Sequence, residues 1–247
     1  MPACRAPRCT ETKLCRAHVV PAGFARTLSN SGGHNRAIRE TGSKPATQPH
    51  GEFDTELLCG PCDERLGQLD QYAIQFCASL PQTGHARTGQ VYRHAPFDGD
   101  TFARAMLATL WRASTSARSQ FAGISLGPYA DRVASVLFDD APLTSVPEVD
   151  IVLLRYASDE HDARRFLFMP LRIRSGPLNA FTLGLGGFLV WAKFDQRPTD
   201  PIFAPFVINA ATELFALTMR FEETAEYAYF RQAASVDRAR VKAKRDR

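Results

Sequence analysis

The sequence predicts an α+β protein: a small metal-binding cysteine module at the N-terminus, then a domain that mixes helices with an antiparallel sheet. Three observations carry this expectation. Two close cysteine pairs, Cys4/Cys9 and Cys59/Cys62, flank a polar segment. Apolar residues then recur at helical spacing, first over Leu66 to Phe76 and again over Phe102 to Ala113. From Asp150 the period shortens to β-branched and aromatic runs separated by Gly, Pro and Asp, the pattern of strands. With 247 residues, 45% of them hydrophobic, the chain can bury a sizeable core.

Taken in order, the chain opens on "CRAPRCTETKLCRAHVVP", Cys4 to Pro21, in which the alternation around Cys15 suggests a short strand. Residues 29–53 are rich in Ser, Gly, Thr, Pro and His and read as a long polar insert. So long a loop is unusual unless its ends are tied, which one metal ion bound on both sides would do. A helix with the stripe Leu66, Leu69, Tyr72, Ala73 and Phe76 is expected to start at Asp63, directly after the second cysteine pair. Breakers at Pro81, Thr83, Gly84 and Gly89 place the boundary between a module of residues 1–85 and a domain of residues 86–247.

In the second part, a helix carries Phe102, Met106, Leu110 and Ala113 on one face, with Leu107 and Trp111 beside them and Asp100 as its cap. Trp111 and Arg112 could stack on a ring ligand, but Trp on the apolar side of a helix belongs to a core. A shorter helix runs through "YADRVASVLF", entered by Gly127 and Pro128. "DIVLLRYA", "RRFLFMPLRI", "NAFTLGLG" and "GFLVWAKF" are the strands, with Gly184, Gly186 and Gly187 marking a tight hairpin or bulge rather than a dinucleotide loop. Asp159, Glu160, His161 and Asp162 read as a solvated hairpin tip. Glu222 to Arg247, charged and Ala-rich, reads as a terminal basic helix.

No stretch approaches the roughly 20 apolar residues of a membrane-spanning helix, and the start lacks the charged-then-apolar pattern of a signal peptide, so no membrane partner and a cytoplasmic location are expected. The net charge of +4 is mild but uneven. Basic residues dominate the first fifty positions, and a second basic run from Arg238 to Arg247 closes the sequence. Such runs suit phosphates, since each neutralised backbone charge releases counterions.

The spacing of the cysteines is the most specific signal. Cys4 and Cys9 are separated by four residues, Cys59 and Cys62 by two. Two short-spaced pairs from distant parts of a chain are the usual way to give Zn²⁺ four thiolates. A helix opening at the second pair would aim its N-terminal amides at them and offset their charge. Cys15 is an alternative to Cys4 as ligand, and Cys77, near an apolar stripe, is a core residue.

Taken together, "CRAPRC", "LCRAHVVP", a long insert and "LLCGPCDERL" opening a helix resemble the zinc-bound form of the HNH nuclease module, a treble clef of ββα form. The resemblance covers Cys4 to Phe76. The part after Gly89 is similar to the C-terminal region of uncharacterised bacterial proteins, some from phage-defence neighbourhoods. The resemblance implies that His18 is the general base that activates water and that Asp63, after Cys62, helps hold a catalytic Mg²⁺ or Mn²⁺. It also implies nucleic acid as partner, with Arg16, Arg26 and Arg65 as contacts. The chain departs from the pattern at Ala17, which stands where the first cation ligand belongs, and at Asp54 and Thr55, near the position of an orienting Asn.

Two functions therefore stand open: a zinc-stabilised protein that binds or cleaves nucleic acid, and a non-catalytic zinc-stabilised scaffold whose second domain binds a partner protein, a second copy or a small ligand. His18 is a base under the first and a structural histidine under the second. Asp63 is a cation ligand under the first and a helix-cap residue under the second.

Overall fold

A computed structural model describes residues 2–28, 36–37, 46–47, 52–82, 84–228 and 230–232. The expected α+β architecture is present, with a six-stranded sheet, three long helices and two small two-stranded ladders. The N-terminal region holds β1 (Ala17–His18), α1 (Ala22–Leu28), β2 (Arg36–Ala37), β3 (Ala46–Thr47) and β4 (Phe53–Asp54). β1 pairs antiparallel with β4, setting Ala17 opposite Asp54 and His18 opposite Phe53, while β2 pairs with β3. Most of the polar insert lies outside the described residues.

Helix α2 (Gly60–Ser79) begins three residues before the expected Asp63. The reason is local: Cys59 occupies the cap position and Pro61 falls in the first turn, where a missing N–H forfeits no hydrogen bond. Cys62 thus sits on the helix itself. The predicted stripe is buried at Leu66, Ala73 and Phe76, joined by Cys77 and by one charged residue, Asp70. After β5 (Val91–His94), α3 (Gly99–Thr115) is capped by Asp98 rather than the expected Asp100. One carboxylate oxygen of Asp98 accepts from the Thr101 amide at 3.0 Å, the other from the Thr101 hydroxyl at 2.6 Å. Asp100 instead pairs with Arg104, one turn on. α3 is buried on nearly every side, as a helix inside a core must be. α4 (Ala130–Phe138) packs beside it, entered by a 3₁₀ turn over Gly127–Tyr129.

The remaining strands are β6 (Val149–Ala157), β7 (Phe168–Ser175), β8 (Leu178–Leu185), β9 (Phe188–Phe194) and β10 (Leu214–Arg220). They order as β5-β10-β6-β9-β8-β7. The sheet is mixed rather than antiparallel throughout, because β10 lies parallel to β6 while every other pair is antiparallel. β9 ends where β6 begins, so the segment 195–213 has only to pass β6 at that end, and β10 then starts beside β6 and runs parallel to it. Gly186 and Gly187, at φ of 58° and 85°, form the tight turn between β8 and β9 that the glycine run predicted.

Both faces of the sheet are covered. Phe181, Leu183, Phe188, Val190 and Phe194 face the helices, in a cluster that reaches without a break to Val19 and Leu57 of the cysteine region. Val152, Leu154, Tyr156, Leu189 and Trp191 face the other way, under Phe203, Phe206 and Phe221. Burial on two faces explains why β6 and β9 read as near-continuous apolar runs.

The segment Asp159–Asp162 is not a free hairpin tip. It leads into a 3₁₀ turn at Ala163–Arg165, with Asp162 paired to Arg164 and Asp159 to Arg220. Of the expected terminal helix, positions 225–228 and 230–232 are helical, and the closing basic run lies outside the described residues. Among the described residues, no helix is long and apolar enough to cross a membrane.

Candidate metal centre

Three short segments converge to bring the thiols together. The turn from Cys4 to Cys9 closes with the Cys9 amide donating to Ala6 O at 3.2 Å. It passes through Arg8 in the left-handed region, φ 59°, a conformation uncommon outside glycine and held here by an ion pair from Arg8 to Asp139. The Arg5 amide donates to Leu57 O at 2.9 Å and the Cys15 amide to Leu58 O at 2.8 Å, which lays this turn against the approach to α2. A bridge between Leu14 and Cys59 completes the seam.

As a result, the Sγ atoms of Cys4, Cys9, Cys59 and Cys62 all lie within 4.8 Å of one another, with Cys9 and Cys59 at 3.7 Å. No disulfide joins them. Cys4 and Cys59 are buried, Cys9 and Cys62 half-buried. The arrangement can hold one metal ion. The Cys59 amide points at Cys4 Sγ from 3.3 Å, a donor that favours the thiolate, and the N-terminus of α2 adds its own positive end. Burial pushes the Cys4 and Cys62 thiols up, whereas the Glu11 amide lowers Cys9. A cation at the centre would resolve that conflict, since it favours the deprotonated form of all four.

Cys15 lies outside the group, its thiol pushed up to about 11 by burial. Cys77 is a core residue as expected, raised to about 12 by burial and packed so tightly under the β8–β9 turn that a Cβ at Gly186 would meet its Sγ at 2.5 Å.

The other expected site residues lie on β1, on β4 and in the first turn of α2. His18, half-buried on β1, meets the Phe53 ring edge-on with centroids 6.2 Å apart. Ala17 is fully buried. Asp63, in the first turn of α2, has its carboxyl raised by burial, an effect that the Arg112 guanidinium opposes. Asp54 accepts from the Glu56 amide and from the Ser116 hydroxyl, a structural role linking β4 to the end of α3. His18 and Asp63 belong to no further metal-sized group of His, Cys, Asp or Glu among the described residues.

Arg16 is exposed and lays its guanidinium 3.5 Å from the Phe53 ring centroid. Arg26 is exposed on α1. Arg65 is engaged: its Nε donates to Leu137 O at 3.0 Å and its Nη2 to Asp140 at 2.6 Å, closing the C-terminal end of α4.

Phe53, Arg118 and Asp70 escaped the sequence reading, which considers Arg112 only as a group that could stack on a ring ligand. Arg118 approaches the Phe53 ring at 5.9 Å, so two arginines attend one aromatic ring beside His18. Arg112, only 2% exposed, donates to both oxygens of Asp70 at 2.7 and 2.8 Å and to His18 O at 3.0 Å. It therefore joins α3, α2 and β1 at one point. A signal existed for this pair, since Asp70 and Arg112 are each a lone charge within a stripe of apolar residues. No family model, curated protein or solved structure matches the chain.

Proposed function

We propose that the chain is a nucleic-acid-binding protein of HNH-like, treble-clef form, in which four thiolates hold a structural Zn²⁺ beside a basic aromatic surface. Zinc fits the donor set. Zn–S bonds of about 2.3 Å in a tetrahedron set sulfurs about 3.8 Å apart, and Cys9 and Cys59 stand 3.7 Å apart. Four protein thiolates fill the coordination sphere, so the ion supplies folding energy and no open position for substrate. What this chain's residues do is position a surface. Arg112 holds the main chain of His18, and β1 pairs with β4, which sets Phe53 opposite His18.

The observation that carries the reading is the approach of Arg16 and Arg118 to the Phe53 ring, with the His18 ring alongside. Guanidinium groups neutralise phosphates and release counterions, and aromatic rings stack on bases, the two contributions that bind single strands without sequence preference. The test is a titration of labelled single-stranded DNA, duplex DNA and RNA against the full chain. The double variant Arg16→Gln/Arg118→Gln should bind at least tenfold more weakly and lower the salt slope by about two charges. Equal affinity and slope in wild type and variant would refute the reading.

A second reading, phosphodiester hydrolysis, is favoured by one feature: Arg112 holds the main chain of His18, and its charge also acts on Asp63. In that case His18 would take the proton of water while Asp63 helped hold Mg²⁺ or Mn²⁺. Plasmid nicking with either ion, abolished by His18→Ala, would establish it. Ala17, buried and without a donor atom where the resemblance expects a ligand, favours a binding protein without catalysis.

A further inference from the structure

The two edges of the six-stranded sheet are finished differently. β5 closes one edge with four residues, and its arginine is engaged, since Arg93 donates to the two oxygens of Glu213 at 3.0 and 2.8 Å. β7 closes the other edge with eight residues. A shift of register between Phe168 and Leu171, with Pro170 inside it, spoils the first half of this strand for further pairing. From Leu171 to Ser175 the strand runs regularly beside Thr182 to Leu178.

The direction of its main-chain groups follows from the turn. Two residues, Gly176 and Pro177, join Ser175 to Leu178, so those partners exchange hydrogen bonds, and the exchange recurs at Ile173 with Ala180 and at Leu171 with Thr182. The N–H and C=O of Arg172 and Arg174 therefore point out of the sheet. Neither amide is bonded to a turn or loop among the described residues.

The side chains alternate as well. Arg172 and Arg174 share the face of Phe181, while Leu171, 61% exposed, and Ile173 share that of Ala180. Both arginines are exposed and lack a carboxylate. Arg174 reaches Pro177 O at a long 3.4 Å, and Arg172 has no side-chain bond or ion pair among the described residues. Neighbouring arginines are paired, Arg164 with Asp162 and Arg197 with Asp195. The imbalance is regional: Ala163 to Phe194 holds four arginines, one lysine and no acidic residue.

We infer that the outer edge of β7 docks an extended acidic peptide, which lies along Arg172 and Arg174 as a further strand. Main-chain bonds to these two residues supply the pairing, and acids at alternate positions of the peptide meet the two guanidinium groups. An apolar residue between the acids falls on the side of Leu171 and Ile173. Charge selects this occupant. A second copy's β7 would set arginine against arginine, and the basic run that closes the chain has the wrong sign. Nucleic acid would answer the arginines but not the alternating donors and acceptors of a strand edge.

The experiment titrates a fluorescein-labelled hexapeptide of alternating glutamate and valine with the full chain, read by anisotropy, beside versions with glutamine or lysine in place of glutamate. The glutamate peptide is expected to bind at least about tenfold more tightly than the glutamine peptide, and Arg172→Glu/Arg174→Glu to bind the lysine peptide instead. In wild type alone, a readout independent of the variant's folding, exchange of the Arg172 and Arg174 amides should slow at least about tenfold on binding, while that of Ile173, already bonded, changes little. No binding at millimolar peptide, equal affinity for the glutamate and glutamine peptides, binding of the glutamate peptide that survives the charge reversal, or binding without protection of the two amides overturns the inference. So does a single-stranded oligonucleotide that loses affinity in the double variant where the peptide does not.

Discussion

The cysteine region and the sheet reach order by opposite means. The region around β1, β4 and the start of α2 has strands of two residues, and its shape depends on four thiols, on main-chain bonds from Arg5 and Cys15, and on arginine contacts at its edges. The sheet carries strands of seven to nine residues for most of its width and buries apolar side chains on both faces. Where apolar area is scarce, a few strong directional bonds set the structure; where it is plentiful, packing does. The two regions share one hydrophobic cluster, so each should report damage to the other in proportion to the bonds that cross between them.

The largest break in this comparison is metal removal. Structural zinc contributes on the order of 10 kcal/mol to small modules. Cys59→Ser or strong chelation should therefore release β1, β4 and the first turn of α2, while β6, β8 and β9 keep their slow amide exchange. Hydrogen exchange followed by mass spectrometry reads both regions at once. Equal loss in the two would mean that the region is not a separately stabilised unit.

The next effect lies at the seam. Removing one partner of a buried ion pair costs about 3–5 kcal/mol because the other charge is left alone. Arg112→Leu should destabilise by that amount in urea melts and loosen the His18 hairpin. The double variant Arg112→Leu/Asp70→Leu should recover much of the loss. A double variant as unstable as the two losses summed would show that the pair is not coupled.

Acid separates the regions in a graded way. Asp195, beside Arg197 and accepting from the Asn179 amide, has its carboxyl held well below the ordinary range. Since its folded pKa is depressed, its contribution is present above the unfolded value of about 3.9 and is lost as pH falls through the folded value. Melting temperature should fall less steeply below about pH 4 in Asp195→Asn than in wild type. Parallel acid curves for the two proteins would count against this account.

The smallest effect is expected at Arg65 and Asp140, whose side chains are 39% and 88% exposed. Asp140→Asn should change stability by at most about 1 kcal/mol, and less at high salt. A larger loss would make this clasp a principal fastening of the cysteine region.

Much of this division was visible in the sequence, and what was not has identifiable causes. The cysteine spacing, the apolar stripes of α2 and α3 and the strands β6 to β9 are local patterns, so local reading finds them. The helix start at Gly60 was also signalled, by Pro61, but the apolar period begins later and masks it. Asp98 and Asp100 compete for one cap, and Thr101 decides in favour of the first by offering two donors. The parallel placement of β10 depends on the chain passing β6 after β9, and β5 is only four residues long; neither leaves a local trace. The pairing of Arg112 with Asp70 spans 42 positions, so a single sequence shows two lone charges and not their bond. Of the candidate site, the thiols were legible from spacing, but Arg118 meets Phe53 only through the fold.

The most direct test of the account is native mass spectrometry of the full chain, which weighs the folded protein with what it holds. One zinc ion per chain is the predicted result, absent from Cys59→Ser and Cys62→Ser and retained in Cys15→Ser and His18→Ala. A folded wild-type chain carrying no metal, or zinc that persists after Cys59→Ser, would contradict it.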